Sequence, residues 1–176
     1  QRKGPDPLTS AILFENKGGR MGWTSLGRID DRTTVERPKL DRTLDGLLRE
    51  LEAALVGEGL YEKEARAMLK TWKDSWFEEG VRIFYMVPRR ATDAILPLTL
   101  DPKPAELVRV LMGRAELITP EEEERVAKLA RRLPDAAAKL ELQQRGRFAE
   151  PALRRVLALS SDPRLKDRIG ALLAGK

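Results

Sequence analysis

The stretch RIFYMVP, residues 82–88, is apolar at nearly every position from Ile83 to Val87. An uninterrupted apolar run of this length is typical of a β-strand that is covered on both faces. We therefore expect this segment to be the central strand of a sheet. The segments on either side of it then have to supply the neighbouring strands and the covering helices.

Upstream of this strand, the runs LTSAILFEN (8–16) and RMGWTSLGRI (20–29) flank the turn sequence Asn16-Lys17-Gly18-Gly19. Two apolar runs around a reversal that contains glycine predict a β-hairpin. Gly22 in the return strand indicates a bulge or the close approach of another backbone segment. The run TTVERPKL (33–40) has the pattern of a further strand.

Downstream, PRRATDAIL (88–96) can form at most a short helix, because a proline stands at its start and another follows it directly. The run LTL (98–100) comes next. In ELVRVLMGRAELI (106–118), Val108, Val110 and Met112 alternate with other side chains, which predicts a longer strand. About five strands result, mainly antiparallel.

Two helices are predicted between the hairpin and the central strand, over residues 42–80. Asp41 or Thr43 can cap the first helix, and Gly80 ends the second as a C-cap. Their apolar positions recur at helical spacing, which predicts a helical hairpin packed against the sheet. These positions are Leu44, Leu47, Leu48, Leu51 and Leu55, then Ala65, Met68, Leu69, Trp72 and Trp76.

Every segment after Ile118 has a helical pattern. Thr119, Pro120 and Glu122 make a capping box at the start, Asp135 can cap a second helix, and Gly146 ends it. The buried positions are Val126, Leu129, Ala130 and Leu133 in the first helix and Leu165, Ile169, Leu172 and Leu173 in the last.

The sequence thus predicts an α+β fold, in which a mainly antiparallel sheet is packed by a two-helix hairpin and is followed by a small all-helical tail. The predicted organisation is a linker over residues 1–7, an α+β domain over 8–118 and the helical tail over 119–176. Because the chain starts at Gln1 within the polar stretch QRKGPDP, we expect it to be part of a longer protein.

The composition excludes several kinds of chemistry. The 176 residues include no His and no Cys, so a Ser-His-Asp or Cys-His nucleophile, thiol redox chemistry and a zinc site of the usual N/S type are ruled out. We expect no cofactor, no metal site and no enzymatic activity. No apolar run approaches the ~20 residues that span a bilayer, and the compartment, cytoplasmic or extracytoplasmic, stays open.

The charge is concentrated near the end of the chain. The 33 Lys and Arg exceed the 28 Asp and Glu to give a net charge of +5, and residues 119–176 hold 13 basic against 9 acidic residues. A basic stretch of this kind is typical of a surface that meets an acidic partner or a phosphate backbone. The candidate interaction surface consists of Arg145, Arg147, Arg154, Arg155, Arg164, Lys166 and Arg168.

Three other groups of residues admit a functional and a structural interpretation. Trp72 and Trp76 could form a flat binding platform, but their helical stripe favours core packing. The carboxylates Asp74, Glu78 and Glu79 could act as acid and base, but they fit an exposed helix face better. The glycines of Lys17-Gly18-Gly19-Arg20 form a hairpin turn rather than a phosphate loop, because a strand and not a helix follows.

Two stretches carry a family resemblance. Residues 59–121, from GLYEKEARAM to AELITPE, together with ILFENKGGRMGW (12–23), resemble the C-terminal region of uncharacterised bacterial proteins of the acidobacterial and myxobacterial type. That resemblance implies no activity and no site residues. The tail sequence GRFAEPALRRVLALSSDPRLKDRIGALL (146–173) resembles the last helical hairpin of HEAT-like repeats, which implies a protein-interaction surface.

Three functional hypotheses follow. The first is a noncatalytic interaction or structural module of a larger, envelope-associated bacterial protein, whose helical tail binds a protein partner with Arg154 and Arg155 at the rim. The second is binding of nucleic acid or another polyanion through the basic tail. The third is a carboxylate-dependent enzyme domain with its site around Asp74, Glu78 or Arg82.

Overall fold

The structure is a computed structural model that describes residues 6–145 and 149–174. The chain divides into two compact units, Gln1–Leu117 (unit 1) and Ile118–Lys176 (unit 2). Residues 1–5 of the predicted linker, the predicted helix end at Gly146, and Arg147 lie outside the described residues.

Unit 1 contains a four-stranded antiparallel sheet. Its strands are β1 (Ala11–Lys17), β2 (Arg20–Ser25), β3 (Gly80–Met86) and β4 (Met112–Leu117), in the order β2-β1-β3-β4. The apolar run that starts at Ile83 therefore lies in a central strand, because β3 pairs with β1 on one side and with β4 on the other. The predicted α+β fold is confirmed.

The β1–β2 hairpin turns at Gly18 and Gly19. Their φ angles are 58° and 77°, the left-handed values that a two-residue turn of type I′ requires at both positions. In β2, a Cβ at Gly22 would collide with the carbonyl oxygen of Lys39. The close backbone approach predicted for Gly22 is thus confirmed.

The segment that approaches Gly22 is the predicted third strand, and this prediction is wrong. Residues 33–40 form no strand, and an isolated bridge joins Met21 to Arg42 beyond them. Arg37 instead forms an ion pair with the buried Glu15 of β1. Pro38 lacks a backbone N–H, so a continuous ladder along β2 could not form there.

Helices α1 (Leu44–Gly57) and α2 (Glu62–Trp76) cover one face of the sheet. Thr43 caps α1 by accepting the N–H of Gly46 at 3.3 Å. The shared core combines strand and helix residues, as the predicted stripes require. Its buried members are Ile12, Phe14, Leu47, Leu51, Leu55, Ala65, Leu69, Trp76, Phe77, Phe84 and Met86.

Helix α2 ends earlier than predicted. Its last residue is Trp76, whereas Gly80 begins β3 with a φ of 130°, so the prediction of Gly80 as a helix C-cap is wrong. The chain leaves the helix at Phe77, whose buried ring packs edge-on against Phe14 at 5.7 Å. The free energy gained by burying this ring exceeds the free energy that one more helical turn would contribute.

The two tryptophans of α2 differ in burial. Trp76 belongs to the core, but Trp72 is 49% exposed and stacks on Trp76 with ring centroids 6.2 Å apart. The prediction of core packing therefore holds for Trp76 and is wrong for Trp72.

Between β3 and β4 the chain forms α3 (Arg89–Ile95) and then an irregular segment. The run at 98–100 lies in this irregular segment, and β4 begins at Met112 rather than near Glu106, as was predicted. Three prolines between residues 97 and 104 remove backbone donors from this segment, which explains why the apolar runs on either side of them do not pair.

In unit 2, the described residues form α4 (Pro120–Arg132), α5 (Ala136–Gln144), α6 (Ala149–Leu159) and α7 (Pro163–Ala174). Thr119 and Asp135 cap α4 and α5 by accepting backbone N–H groups two or three residues ahead. The predicted stripes are buried. They form a core of Val126, Leu129, Ala130, Leu133, Ala138, Leu142, Ala149, Ala152, Leu153, Leu165 and Ile169, with Leu172 and Leu173 partly buried against it.

Candidate functional site

The last residue of α3, Ile95, and the irregular segment that follows it to Val108 are here called the leucine loop, which exposes aliphatic side chains to solvent. Six of them are between 37% and 63% exposed: Ile95, Leu96, Leu98, Leu100, Leu107 and Val108. Single exposed aliphatic residues are common on protein surfaces, whereas six within fourteen residues of one loop are not.

A small charge cluster joins the two ends of the leucine loop. The guanidinium of Arg89 binds the Asp93 carboxylate at 2.8 and 2.9 Å, and Nη1 of Arg109 binds the same carboxylate at 3.0 Å. Arg109 also donates to the carbonyl of Leu96 at 2.6 Å, while Arg89 donates to that of Leu107 at 2.9 Å. Both ends of the loop are therefore fixed to the same three side chains.

Two further contacts hold the loop end at Val108 and the helix α3 that leads into the loop. A Cβ at Gly59, between α1 and α2, would lie 3.1 Å from Cγ1 of Val108, so the end of the loop packs on this junction. At the other side, the buried Thr92 of α3 donates its hydroxyl to the carbonyl of Val87 at 3.4 Å. The result is a surface loop of the Ω type, whose ends are close together.

The predicted basic surface is divided by its ion pairs. Arg154 binds Glu150 at 2.9 Å, and Arg155 of α6 binds Glu123 of α4 at 2.9 Å. Arg145 forms ion pairs with Glu122 and Glu141. Arg147 lies outside the described residues. These partners neutralise much of the charge that the sequence assigns to the surface.

Arg145 is turned toward the helices rather than toward solvent. Its side chain is 15% exposed, its buried Nε has no hydrogen-bond partner among the described residues, and burial lowers the pKa of its guanidinium. It borders an open cleft of about 520 Å³, together with Arg125, Ala137, Leu140, Glu141 and Gln144. Because Arg125 and Arg145 both bind Glu141 there, the cleft offers little net charge to an anion.

The other three predicted residues lie on α7. Arg164, Lys166 and Arg168 are exposed, and no carboxylate among the described residues forms an ion pair with them. Nη1 of Arg168 donates to the carbonyl of Arg131, in the last turn of α4, at 3.2 Å. The structure therefore separates a neutralised part of the predicted surface from a part that keeps its positive charge.

The carboxylates proposed for acid and base chemistry lie on the surface. Asp74, Glu78 and Glu79 are exposed at the end of α2 and beyond it. Arg82, by contrast, has a fully buried side chain on β3, and its ion pair at 3.0 Å is with Glu116 of β4. Glu78 is close enough to Arg82 for its charge to raise the pKa of that guanidinium against the larger effect of burial, although the ion pair of Arg82 is formed with Glu116.

The buried Arg82 closes the end of α2. It donates to the backbone carbonyls of Trp76 at 2.6 Å and Glu79 at 3.0 Å, and Arg114 adds a bond to that of Ser75 at 2.5 Å. Burial lowers the pKa of the Arg82 guanidinium, and the carboxylate of Glu116 opposes this shift. Arg82 stands within an otherwise apolar strand, and a charged residue at such a position indicates a buried polar network from the sequence alone.

The described residues contain no group of three or more His, Cys, Asp or Glu side chains suited to hold a metal ion. Over the same part of the chain, the helices fall short of the length and apolarity needed to cross a bilayer. Comparison of the chain with protein-family models, curated proteins and solved structures gives no match.

Proposed function

We propose that this chain is a noncatalytic interaction module that binds a protein partner through the leucine loop. The observation that carries the proposal is the exposure of six aliphatic side chains on a loop whose two ends are fixed by Arg89, Asp93 and Arg109. An exposed apolar patch rimmed by polar groups is typical of a protein interface.

The fixed loop ends support binding in a second way. An interface loses free energy when binding has to order a flexible loop, and part of that loss is avoided when the loop is already held in shape. Arg89 and Asp93 are about half-exposed, so they can surround the apolar centre as a polar rim. A partner that suits this surface presents an apolar pocket with hydrogen-bonding groups at its edge.

This proposal places the binding surface elsewhere than the sequence suggests. Arg154 and Arg155, the predicted rim charges of the helical tail, are engaged with Glu150 and Glu123. The resemblance of residues 146–173 to HEAT-like repeats stays a prediction, as does membership of a larger bacterial protein.

The test replaces apolar side chains of the loop and leaves unchanged Arg89, Asp93 and Arg109, which hold its ends. In the variant Leu98→Ser/Leu100→Ser, we expect partner binding to weaken at least about tenfold, because two exposed leucines at the centre of an interface can each contribute more than about 1 kcal/mol. The partner is captured with the full chain from an extract, identified, purified and titrated by calorimetry. Because both side chains are exposed, we expect the urea midpoint to shift only by the small amount that is typical of surface substitutions.

The matched control is Leu159→Ser, which alters a leucine on α6 that is 69% exposed. We expect this variant to bind the partner as the unchanged chain does. Equal binding by the loop variant and the unchanged chain would exclude the leucine loop as the interface.

A further inference from the structure

We infer that unit 2 carries a site for the phosphodiester backbone of nucleic acid, formed by Arg131, Arg164 and Arg168 and here called the arginine patch. This inference is independent of the proposed function, since it concerns other residues and another class of partner. It follows from the distribution of ion pairs over the surface of unit 2.

Half of the exposed cations that the structure describes in this unit have a carboxylate beside them. Arg125, Lys128, Arg132, Arg154 and Arg155 bind Glu141, Glu124, Asp135, Glu150 and Glu123 at 2.8 to 3.2 Å. The three residues of the arginine patch are exposed and take part in no ion pair within the described ranges 118–145 and 149–174. Their charge is therefore available to a ligand.

Helix geometry places two members of the patch side by side. Arg164 and Arg168 are four residues apart on α7, so they are separated by about one turn and about 40° around the helix axis. Lys166 lies about 200° from Arg164, on the other flank of the buried stripe of Leu165 and Ile169. The predicted cation Lys166 is therefore not part of this patch.

A hydrogen bond connects α7 to the third member. Nη1 of Arg168 donates to the carbonyl of Arg131 at 3.2 Å, which places the Arg168 guanidinium beside the residue that carries the third arginine side chain. A guanidinium has five N–H donors, so this bond leaves donors of Arg168 free to meet a ligand.

The acidic groups around the patch do not cancel its charge. Asp162 accepts the backbone N–H of Arg164 at 3.0 Å, and Asp135 binds Arg132 at 2.8 Å. Glu124 interacts electrostatically with Arg131, but it forms its ion pair with Lys128, which balances its charge. Asp167 lies about 60° around α7 from Arg164 and leaves the patch with a net charge of about +2. Three forked donors without a carboxylate partner match phosphate oxygens, which guanidinium groups bind in a bidentate manner.

The composition of unit 2 favours a backbone contact over base recognition. Phe148 is the single aromatic residue in the sequence of residues 118–176, so a platform of stacked aromatic rings, as used for single strands, is not available. We therefore expect weak, sequence-independent binding to duplex nucleic acid, dominated by the release of counterions.

The salt dependence gives a quantitative test. Three phosphate contacts predict that the logarithm of the association constant falls with the logarithm of salt with a slope of about −2.7, so affinity for a 20-base-pair DNA drops about 40-fold between 50 and 200 mM salt. Fluorescence anisotropy of the labelled duplex with the full chain measures this slope. In Arg131→Gln/Arg164→Gln/Arg168→Gln, each lost contact lowers the slope by about 1, and binding at 50 mM salt falls at least about tenfold.

The control variant Arg125→Gln/Arg154→Gln/Arg155→Gln changes the net charge by the same amount at residues that are paired. We expect it to keep the slope, and circular dichroism verifies that both triple variants are folded. Equal losses in the two triple variants would show that only the overall charge matters and would overturn the site. Absence of binding by the unchanged chain at 50 mM salt would do the same.

A protein partner with acidic side chains is the competing interpretation, and a poly-glutamate chain of the same charge as the duplex tests it. If poly-glutamate displaces the duplex at equal charge concentration, and with the same dependence on the two triple variants, the patch recognises negative charge in general and the assignment to phosphodiesters is wrong. We expect the duplex to be bound more tightly, because its phosphates are regularly spaced and accept bidentate bonds.

Discussion

Units 1 and 2 accommodate charge in different ways. Unit 1 encloses the Arg82 side chain completely, with one ion pair and bonds to backbone carbonyls at the end of α2. In unit 2, the described ion pairs join side chains that are at least 15% exposed and lie outside an apolar core. Unit 1 should therefore be sensitive to the loss of the buried Arg82, whereas unit 2 should depend on apolar volume.

The largest expected effect is that of Arg82→Met in unit 1. The substitution leaves the Glu116 carboxylate without its buried partner and two carbonyls at the end of α2 without a donor, and the loss of one partner of a buried pair costs about 4 kcal/mol. All three tryptophans, Trp23, Trp72 and Trp76, belong to unit 1. Urea unfolding followed by tryptophan fluorescence therefore reports on this unit.

Arg114→Met is the matched control for Arg82. Arg114 binds the same carboxylate at 3.0 Å and donates to the carbonyl of Ser75, but its side chain is 20% exposed. Because water can replace the lost bonds there, we expect a smaller decrease in the free energy of unfolding. Equal decreases in both variants would contradict the view that complete burial makes Arg82 special.

An intermediate effect is expected from Ile169→Ala in unit 2. Ile169 is fully buried among Leu129, Leu153 and other core residues, and truncation of such a side chain costs about 3 kcal/mol. Far-UV circular dichroism should lose helical signal at lower urea, while the tryptophan fluorescence keeps its midpoint. The control Ile95→Ala removes the same atoms from a side chain that is 63% exposed, and a comparable loss there would refute the packing argument.

The two probes also test the division into units. If Ile169→Ala shifts the fluorescence midpoint as much as the circular dichroism midpoint, the units unfold together, and the contrast between them loses its energetic meaning.

The same contrast explains what could be predicted from the sequence. In unit 2, Thr119 and Asp135 cap helices within three residues of themselves, and the stripe around Leu129 repeats at helical spacing. All of this is local information. In unit 1, the turn at Gly18 and the central position of Ile83 are likewise evident from neighbouring residues.

Prolines account for part of the failures in unit 1, and contacts between residues far apart in sequence account for the rest. The carbonyl of Leu96 is bonded by Arg109 and that of Leu107 by Arg89, so these apolar runs become a loop although their composition suits strands. Phe77 likewise ends α2 early because it packs against Phe14 of β1. Periodicity along the chain contains no information on such partners.

The charges of the predicted basic surface could be predicted from the sequence only in part. Glu150 and Arg154 are four residues apart on a predicted helix, so the sequence alone predicts their ion pair. The sequence therefore already predicts that Arg154 is not an unpaired cation. The pair of Arg155 with Glu123, by contrast, joins α6 to α4. Only the packing of the helices shows that Arg155 is neutralised while Arg164 and Arg168 are not.

The smallest expected effect is a pH dependence of unit 2 at Asp135. The carboxylate binds Arg132 at 2.8 Å and accepts the N–H of Ala137 at 2.8 Å; these bonds, with Arg132 as the larger cause, hold its pKa below the ordinary value of 3.8. Because the pKa is lower in the folded state, Asp135 stabilises unit 2 above pH 3.8. This contribution disappears as the pH falls through the folded-state pKa.

The variant Asp135→Asn isolates this contribution, since asparagine caps a helix about as well as aspartate but carries no charge. We expect the urea midpoint of the variant, followed by far-UV circular dichroism, to lie slightly below that of the unchanged chain at pH 7 and to coincide with it near pH 2. A difference that persists at pH 2 would show that the side chain acts through its shape rather than its charge. Asp167→Asn, an exposed position inside α7, serves as the control. A larger effect there than at Asp135 would mean that the surface charges of unit 2 act collectively. The contrast with the buried Arg82 of unit 1 would then be one of distributed against localised electrostatics.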